Sequence, residues 1–271
     1  MRTTEQPSNY DNLDKMTTNE ILTAINCEDR KVPEAVALAI PQIEKLVEAI
    51  VERMPRGGRV FYIGAGTSGR LGIVDASEIP PTYGVKNKFI GLIAGGDSAI
   101  RSAVEGAEDD WDQAWKEIEA FSPCKDDVII GIAASGVTPY VIGAVRKARE
   151  MGILTSCITS NEGSPLEASV DIPIVSVTGP EFVTGSTRMK SGTALKLILN
   201  MISTAVMIRL GHVRGSRMVD MELTNSKLVD RGTRMIMNET GITDYEYAKG
   251  LLLTYGHVRE AVDAYRNSTA R

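Results

Sequence analysis

The sequence predicts an α/β fold, a three-layer sandwich in which helices cover both faces of a parallel five-stranded sheet. Short, almost continuously apolar segments alternate with segments of helical periodicity along the first two thirds of the chain. Strands that are buried on both faces have this composition, because neither side of a covered sheet meets water. The five predicted strands span residues 59–64, 89–94, 127–133, 153–159 and 172–177.

Helical periodicity fills the intervals between these strands. Pro41 is expected to bend the second helix, and Pro80 and Pro81 are expected to stop the third. The region after the sheet is expected to be entirely helical and to pack on the sheet as an extension. The predicted helices span residues 17–29, 33–53, 68–79, 98–119, 138–150 and 188–210, followed by several shorter ones within 220–265.

This order of elements predicts three regions. Residues 1–54 should form N-terminal helices that pack on the core, residues 55–218 the sheet domain, and residues 219–271 a C-terminal helical region. With 271 residues, the chain is long enough for one sizeable core.

Charge and hydropathy exclude several classes of protein. The formal net charge is −5, which gives no positive surface for nucleic acid or anionic lipid. The first 16 residues lack the apolar segment of a secretion signal, and nowhere do 18 apolar residues run together. We therefore expect a cytoplasmic protein that binds neither nucleic acid nor membrane.

The cysteines and histidines suggest no metal site. Cys27, Cys124 and Cys157 are widely spaced and form no metal-binding pattern, so we expect reduced packing residues. His212 and His257 stand alone without a nearby carboxylate pattern, and structural roles are expected for both.

The first candidate binding loop follows the first strand. The run Gly64-Ala65-Gly66-Thr67-Ser68-Gly69 opens a predicted helix, and its glycines allow a tight turn with exposed N–H groups. Gly66, Thr67 and Ser68 are therefore predicted to bind a phosphate group. The dinucleotide fingerprint fits the same letters, but it requires an acidic residue about 20 residues later. Asp97 comes 28 residues after Gly69 and beyond two further glycines, so a phosphate monoester is the favoured ligand.

A second loop of this kind follows the third strand. Ser135 and Gly136 form a Ser-Gly turn, and Thr138 precedes Pro139 as an N-cap precedes the first residue of a helix. Parallel strands end at one edge of the sheet, where doubly wound folds bind their ligands. Either loop alone could serve only to cap a helix, but two such loops indicate a binding site.

Two such loops on a five-stranded parallel sheet resemble the sugar isomerase domain, in which serines and threonines bind a sugar phosphate. The motifs GAGTSGRLGIVDASEIPPTYG, LIAGG, VEGAED, GIAASGVTPYV and VTGSTRMKSGTALKLILNM occur in this order within residues 55–230. Together they resemble the N-acetylmuramic acid 6-phosphate etherase family and, more distantly, the glucokinase regulatory protein.

This resemblance implies a lyase that removes the lactyl ether from carbon 3 of N-acetylmuramate 6-phosphate, giving N-acetylglucosamine 6-phosphate and D-lactate. It also implies elimination followed by hydration, no metal or nucleotide cofactor, and a homodimer. By motif match, the family's proton donor falls on Glu78 and its second acidic residue on Glu108. Ser186 and Arg188 or Lys190, at the start of the predicted long helix, could bind the lactyl carboxylate.

Each of these assignments has a simpler alternative. Glu78 could be a solvated residue of a last helical turn, Glu108 could belong to an exposed acidic run, and Ser186 could merely cap a helix. In a straight helix, Glu78 would lie about 15 Å along the axis from Ser68, too far to share one hexose. Either Gly72 and the Pro80-Pro81 end distort this segment, or one site combines Glu78 with elements of a second subunit. Because the resemblance implies a dimer, the shared site is the favoured interpretation.

Two other classes of function retain the serine loops. A non-catalytic phosphosugar-binding regulator would not need Glu78, and an aldose–ketose sugar phosphate isomerase would place its base elsewhere. Both leave the motifs around Glu78 and Glu108 without a role, so the lyase is the favoured interpretation.

Overall fold

A parallel five-stranded sheet organises the computed structural model, which describes residues 2–269. The strands are β1 (Val60–Gly64), β2 (Phe89–Ile93), β3 (Val128–Ile132), β4 (Leu154–Thr159) and β5 (Ile172–Val175). They lie in the order β2-β1-β3-β4-β5, and every neighbouring pair is parallel. The chain therefore reverses its direction of winding between β1 and β3.

Ten α-helices accompany the sheet within residues 2–269. Thr17 caps the first of them through a reciprocal pair of hydrogen bonds with Glu20, and the second continues through Pro41. The helices are α1 (Thr18–Asp29), α2 (Val32–Arg53), α3 (Gly66–Tyr83), α4 (Ser98–Arg101), α5 (Gln113–Glu119), α6 (Pro139–Glu150), α7 (Lys190–Arg209), α8 (Ser226–Thr240), α9 (Tyr245–Tyr255) and α10 (Val258–Thr269).

Alternate residues of β1 face opposite sides of the sheet. Phe61 and Ile63 pack in one core cluster with the buried side chains of α5 and α6. Tyr62 points to the other face, where a Cβ added to Gly72 of α3 would lie 3.0 Å from its Cβ. Helices thus cover both faces, and the predicted three-layer arrangement is confirmed.

The predicted helix over residues 98–119 is wrong, because the segment is broken into three pieces. α4 ends at Arg101, a short 3-10 turn spans Ala107–Asp109, and α5 begins at Gln113. Gly106 adopts a φ of 71°, and the Asp110 carboxylate accepts hydrogen bonds from the amides of Asp112 and Gln113. A left-handed glycine followed by an Asx turn interrupts helical bonding on both sides of the turn.

The predicted stop at Pro80 and Pro81 is also wrong, because α3 continues for one more turn to Tyr83. Gly84, at a φ of 69°, ends the helix, and its amide donates to the Pro80 carbonyl. Pro80 and Pro81 lack the N–H groups that would donate to the carbonyls of residues 76 and 77, but the helix continues past them and is closed by the Gly84 bond.

The region after α7 is not entirely helical. Two short antiparallel strands, β6 (Val213–Arg214) and β7 (Arg217–Met218), form a hairpin around Gly215 and Ser216. Gly215 adopts a φ of 62°, which suits the first position of a two-residue hairpin turn.

The chain divides into two compact units, one containing Met1–Ser77 and Lys88–Val206 and the other Glu78–Asn87 and Met207–Arg271. The first unit contains the five-stranded sheet. The second has its own apolar core, to which α8, α9 and α10 contribute buried side chains. The division into residues 1–54, 55–218 and 219–271 stays a prediction.

Within the second unit, His212 does have a carboxylate partner, contrary to expectation. Its Nδ1 lies 2.9 Å from Asp220 Oδ2, and the Arg259 guanidinium donates to both oxygens of the same carboxylate. Burial alone would raise the pKa of Asp220, but the hydrogen bonds from Arg259 and His212 outweigh it and lower the pKa. This cluster fastens α10 to the chain around the hairpin.

The three cysteines are free, but they are not all packing residues. Cys157 is buried in β4, and burial raises the pKa of its thiol to about 12. Cys27 and Cys124 are exposed, so the packing role expected for them is wrong.

α7 is the one helix within residues 2–269 whose length and composition would suffice to cross a membrane. Of its most apolar 18-residue window, 56% is buried inside the protein. Ser203, on the same helix, is buried and donates a hydrogen bond to Asp75. These contacts are those of a core helix.

Asp75 is a buried carboxyl group on α3. Its Oδ2 accepts from the Tyr62 hydroxyl and its Oδ1 from the Ser203 hydroxyl, each at 3.1 Å, and Lys196 Nζ lies 3.8 Å away. Burial raises the pKa of Asp75, and these partners only partly offset that effect. The folded protein therefore favours the protonated form more than the unfolded chain does.

We expect Asp75→Asn to change how stability depends on pH. Above the ordinary pKa of 3.8, wild-type protein loses stability as the pH rises toward the raised folded value, because the folded state then binds more protons than the unfolded chain. Asn cannot ionise, so the variant does not lose this stability. The free energy of unfolding of the variant minus that of wild type should therefore increase as the pH rises from about 3.8 through the raised pKa of Asp75. Urea unfolding at several pH values from 4 upward measures the difference, and a difference that stays constant would contradict the expectation.

Candidate active site

The loop between β1 and α3 has the geometry of an anion-binding turn. Gly66 adopts a φ of 53°, in the left-handed region that glycine occupies without strain. A Cβ on Gly64 would lie 2.6 Å from the Gly69 amide nitrogen, and one on Gly69 would lie 2.6 Å from Ile93 Cγ1. All three glycines are thus required by local geometry.

α3 begins in this loop and directs backbone donors toward it. The Gly69 amide donates to the Ala65 carbonyl at 3.2 Å, so the amides of Thr67 and Ser68 precede the first helical hydrogen bond. First-turn amides and the helix dipole together attract an anion. Gly66 is exposed, Thr67 is half-buried and Ser68 is 8% exposed.

The loop after β3 leaves the same edge of the sheet. β1 and β3 are paired with Gly64 opposite Ile132, so the loops that follow them start side by side. Gly136 adopts a φ of 69°, and a Cβ there would lie 2.4 Å from Ser164 Oγ. No other residue fits at this turn without displacing Ser164.

The hydroxyl groups of this second loop are placed differently from each other. Ser135 Oγ accepts a long hydrogen bond from the Val137 amide at 3.4 Å. Thr138 occupies the N-cap position of α6, before Pro139, as the sequence predicts. Its side chain makes no capping hydrogen bond, which leaves that hydroxyl available to a ligand.

A cleft of about 180 Å³ opens beside the first loop. Gly66 and Glu108 are the two predicted site residues that line it, and Glu108 is exposed within the 3-10 turn. The other predicted site residues do not line this cleft. Its walls are formed by Ala65, Gly66, Arg70, Ala94, Ala99 and residues 103–108.

Arg70 fastens the wall of the cleft that bears Glu108, and no sequence pattern singled it out. Its Nη2 donates to the Ala99 carbonyl at 2.7 Å and its Nε to the Ile100 carbonyl at 2.9 Å. Val104 packs closely over Gly95 in the same wall. These contacts fold the segment after β2 over the first loop.

Glu78 lies on the last part of α3 and is exposed. It belongs to the second compact unit, whereas Ser68 belongs to the first. Neither Glu78 nor Ser68 lines the cleft beside the first loop.

Lys190 is buried in an ion pair. Its Nζ lies 2.6 Å from Glu28 Oε2, and the two side chains are 1% and 3% exposed. Burial alone would raise the pKa of Glu28, but hydrogen bonds from Lys190 and Lys31 outweigh it and lower the pKa. The Lys190 ammonium group is thus already neutralised within the chain, which favours Arg188, an exposed residue, for any contact with a ligand.

Glu181 caps α7 through both carboxylate oxygens. They accept hydrogen bonds from the amides of Lys190 and Ser191, each at 2.9 Å. Ser186, a predicted site residue, is half-buried. The expected alternative, that Ser186 caps this helix, is wrong because Glu181 holds that position.

The start of α7 lies next to the first loop. A Cβ on Gly192 would lie 3.5 Å from the methyl group of Thr67. Three predicted polar segments therefore meet at the carboxyl edge of the sheet: residues 64–69, 133–138 and 184–192.

Sequence patterns missed several charged and polar residues that shape this edge. Glu28 lies 162 positions from Lys190, and no local signal could link the two. Asn161, which binds the loop after β3, is likewise recognisable only from tertiary contacts. Among residues 2–269, no cluster of three or more histidine, cysteine or carboxylate side chains could hold a metal ion.

Comparisons with known proteins agree with this geometry. Residues 42–149 match the glucokinase regulatory protein N-terminal SIS domain, and residues 119–205 match the SIS domain. A solved phosphoheptose isomerase from Neisseria gonorrhoeae superposes with a TM-score of 0.54 at 21% identity, covering 70% of this chain and 98% of that one. At this identity, the likeness shows the fold.

Two curated relatives are much more similar. An N-acetylmuramic acid 6-phosphate etherase from Bacteroides thetaiotaomicron is 61% identical over 272 residues, covering 99% of this chain and 98% of the relative. One from Porphyromonas gingivalis is 62% identical over 264 residues, covering 97% and 96% of the two chains. Identity at this level over almost the whole length of both chains shows that the chain belongs to the N-acetylmuramic acid 6-phosphate etherase family.

Proposed function

We propose that this protein is a carbon–oxygen lyase that cleaves the D-lactyl ether of N-acetylmuramate 6-phosphate in the recycling of cell-wall amino sugars. The products are N-acetylglucosamine 6-phosphate and D-lactate. The observation that carries this proposal is the placement of two hydroxyl-bearing loops at one sheet edge, beside a cleft lined by Glu108.

The first loop and the start of α3 bind the phosphate group. The Thr67 and Ser68 amides supply donors aligned with the helix dipole, and the two hydroxyls supply more. Ser135 and Thr138 lie on the adjacent loop, and their hydroxyls, with the backbone at Gly136, bind the remaining oxygens of the ligand. The phosphate group of a monoester has three free oxygens that accept hydrogen bonds. The donors of one loop alone would leave some of these oxygens without a hydrogen-bond partner.

Two carboxyl groups carry out the chemistry on the open-chain aldehyde. Glu108, as carboxylate, takes the proton from carbon 2, the bond from carbon 3 to the ether oxygen breaks, and Glu78 protonates the departing lactate oxygen. In the hydration step Glu78, now a carboxylate, takes a proton from water as its hydroxyl adds to carbon 3, and Glu108 returns its proton to carbon 2, so both carboxyl groups regain their starting states. An ether is a poor leaving group, so the donor is essential, and a carbon-bound proton needs a base within hydrogen-bond reach.

The site is shared between two subunits of a homodimer. Ten residues of helix separate Ser68 from Glu78, a rise of about 15 Å along α3. Glu78 is exposed, so it is free to enter the site of a partner. Leu22 and Leu38 expose 62% and 85% of their area, as side chains at an interface between copies would.

Arg188 binds the lactyl carboxylate. It is the exposed cation of the third polar segment, whereas Lys190 is occupied by Glu28. No step requires a metal or nucleotide. The three free cysteines suit the reducing conditions of the cytoplasm, where we place the reaction.

Purified protein incubated with N-acetylmuramate 6-phosphate should release D-lactate, and Glu78→Gln should reduce that release by about 10²–10⁴-fold, the range for loss of a general acid. Binding of the sugar phosphate should remain, because the loops are unchanged. A coupled D-lactate dehydrogenase assay measures release, and calorimetry with N-acetylglucosamine 6-phosphate measures binding.

Glu150→Gln provides the matched control, since Glu150 is 68% exposed at the end of α6, and it should release lactate at the wild-type rate. Absence of lactate from folded, dimeric wild-type protein would refute the lyase. Full turnover by Glu78→Gln would move the acid role to another residue.

Ser68→Ala should weaken sugar phosphate binding by about 1–3 kcal/mol, the loss expected for one hydrogen bond to a charged group. The change appears as a raised KM with a smaller change in kcat, because phosphate contacts act on bound substrate and transition state alike. Ser77→Ala, at an exposed serine later on α3, is the control. An unchanged KM in Ser68→Ala would remove Ser68 from the binding site.

Mixing two defective dimers, assayed at a substrate concentration well below the KM of the serine variant, tests the shared site. One carries Glu78→Gln, and the other carries Ser68→Ala with Ser135→Ala. After subunit exchange, each mixed dimer has one site with both defects and one site with none, so about a quarter of wild-type activity should return in a closed two-fold dimer. If each site used only one chain, no mixed dimer would regain an intact site and activity would stay at the level of the parents.

A further inference from the structure

The segment that precedes α1 lies across the loops at the carboxyl edge of the sheet. Thr3–Glu5 forms a short 3-10 turn, and Thr4 is 1% exposed although it lies so close to the N-terminus. Its neighbour is Asn161, which follows β4 and is also 1% exposed. A buried polar pair of this kind must have its hydrogen bonds satisfied within the protein.

Asn161 uses its whole amide group. Its Oδ1 accepts from the Thr4 amide at 3.2 Å, and its Nδ2 donates to Thr4 Oγ1 at 2.9 Å. The same nitrogen donates to the Ala134 carbonyl at 2.9 Å and the Ser135 carbonyl at 3.2 Å. Asn161 thus joins the N-terminal segment directly to the backbone of the second serine loop.

The same segment reaches the loop before α7. Ser8 Oγ donates to the Phe182 carbonyl at 2.7 Å, and the Ser8 amide donates to Thr184 Oγ1 at 3.0 Å. The ring of Tyr10 lies 5.2 Å from that of Phe182. Residues 4–10 therefore bridge two of the three polar segments that meet at this edge.

We infer that Thr4 and Asn161 are positioning residues for substrate binding, which act by holding the backbone of Ala134 and Ser135 so that the second serine loop meets the ligand. This rests on the proposed function of that loop. The strand ends at Ile132, and the loop carbonyls of Ala134 and Ser135 follow it. The Ala134 carbonyl also accepts hydrogen bonds from the Ser160 amide and the Thr159 hydroxyl, whereas Asn161 Nδ2 is the donor to the Ser135 carbonyl. The orientation of these two carbonyl groups determines where the Ser135 hydroxyl and the Gly136 amide point. Asn161, which is itself bonded to Thr4, supplies side-chain hydrogen bonds that fix this orientation.

The test is Thr4→Val, which keeps the shape of the side chain but removes the acceptor for Asn161 Nδ2. We expect KM for N-acetylmuramate 6-phosphate to rise about tenfold, because the loss of the hydrogen bond between Thr4 and Asn161 leaves the second serine loop less well positioned for binding. We expect kcat to stay within about twofold of wild type. Asn161→Ala should raise KM further. Calorimetry with N-acetylglucosamine 6-phosphate should show the same order of affinities.

Ser203→Ala is the matched control, because it also removes a buried hydroxyl hydrogen bond but lies on α7 against Asp75. Its free energy of unfolding, measured in urea, should fall, but its KM should remain that of wild type. This is the result expected of a purely structural change. If folded Thr4→Val has a KM and a product affinity within about twofold of wild type, the inference is overturned; a fall in kcat alone also overturns it. Wild-type protein that releases no lactate refutes the proposed function instead, and product affinity still decides the inference.

Discussion

The parallel pairing of β1 with β3 is the constraint on which the candidate site depends. Gly64 lies opposite Ile132, and the chain continues from both strands into loops that carry hydroxyl groups. The close approach of α3 to β1 requires that Gly64 and Gly69 have no Cβ. The backbone amides at this edge, and the hydroxyl groups of both loops, are therefore positioned by the sheet register.

Carboxyl groups in this protein fall into two sets with different environments. Glu28, Glu181 and Asp75 are buried and bonded to partners within the chain. Removing one partner of such a buried pair leaves an uncompensated charge and is strongly destabilising. Glu78 and Glu108 are exposed and keep their oxygens available for a substrate. Glu28 and Glu181 hold the start of α7, and Asp75 joins β1 to α7, whereas the exposed pair are the residues proposed for proton transfer.

The sequence was informative where structure follows from local patterns and uninformative where it follows from distant contacts. The strands were predictable because each is a short, almost continuously apolar run, and Thr138 was predictable as an N-cap from the proline after it. The break between α4 and α5 comes from the left-handed conformation of Gly106 and the Asp110 turn, which a helical pattern of apolar residues does not reveal. The sequence alone allows Lys190 to be a surface charge, because its partner Glu28 lies far away in the chain and the ion pair is visible only in the structure.

α3 begins in the first loop, which is proposed to bind the phosphate group, and ends at Tyr83, five residues beyond Glu78. In the shared-site dimer, each copy of this helix would therefore start at one reaction centre and deliver its acid to the other. A small shift along the axis when phosphate docks at the first centre would be transmitted rigidly, because the 18 residues form one continuous helix. Occupancy of one centre would then alter proton delivery at its twin, which is a structural basis for cooperative turnover.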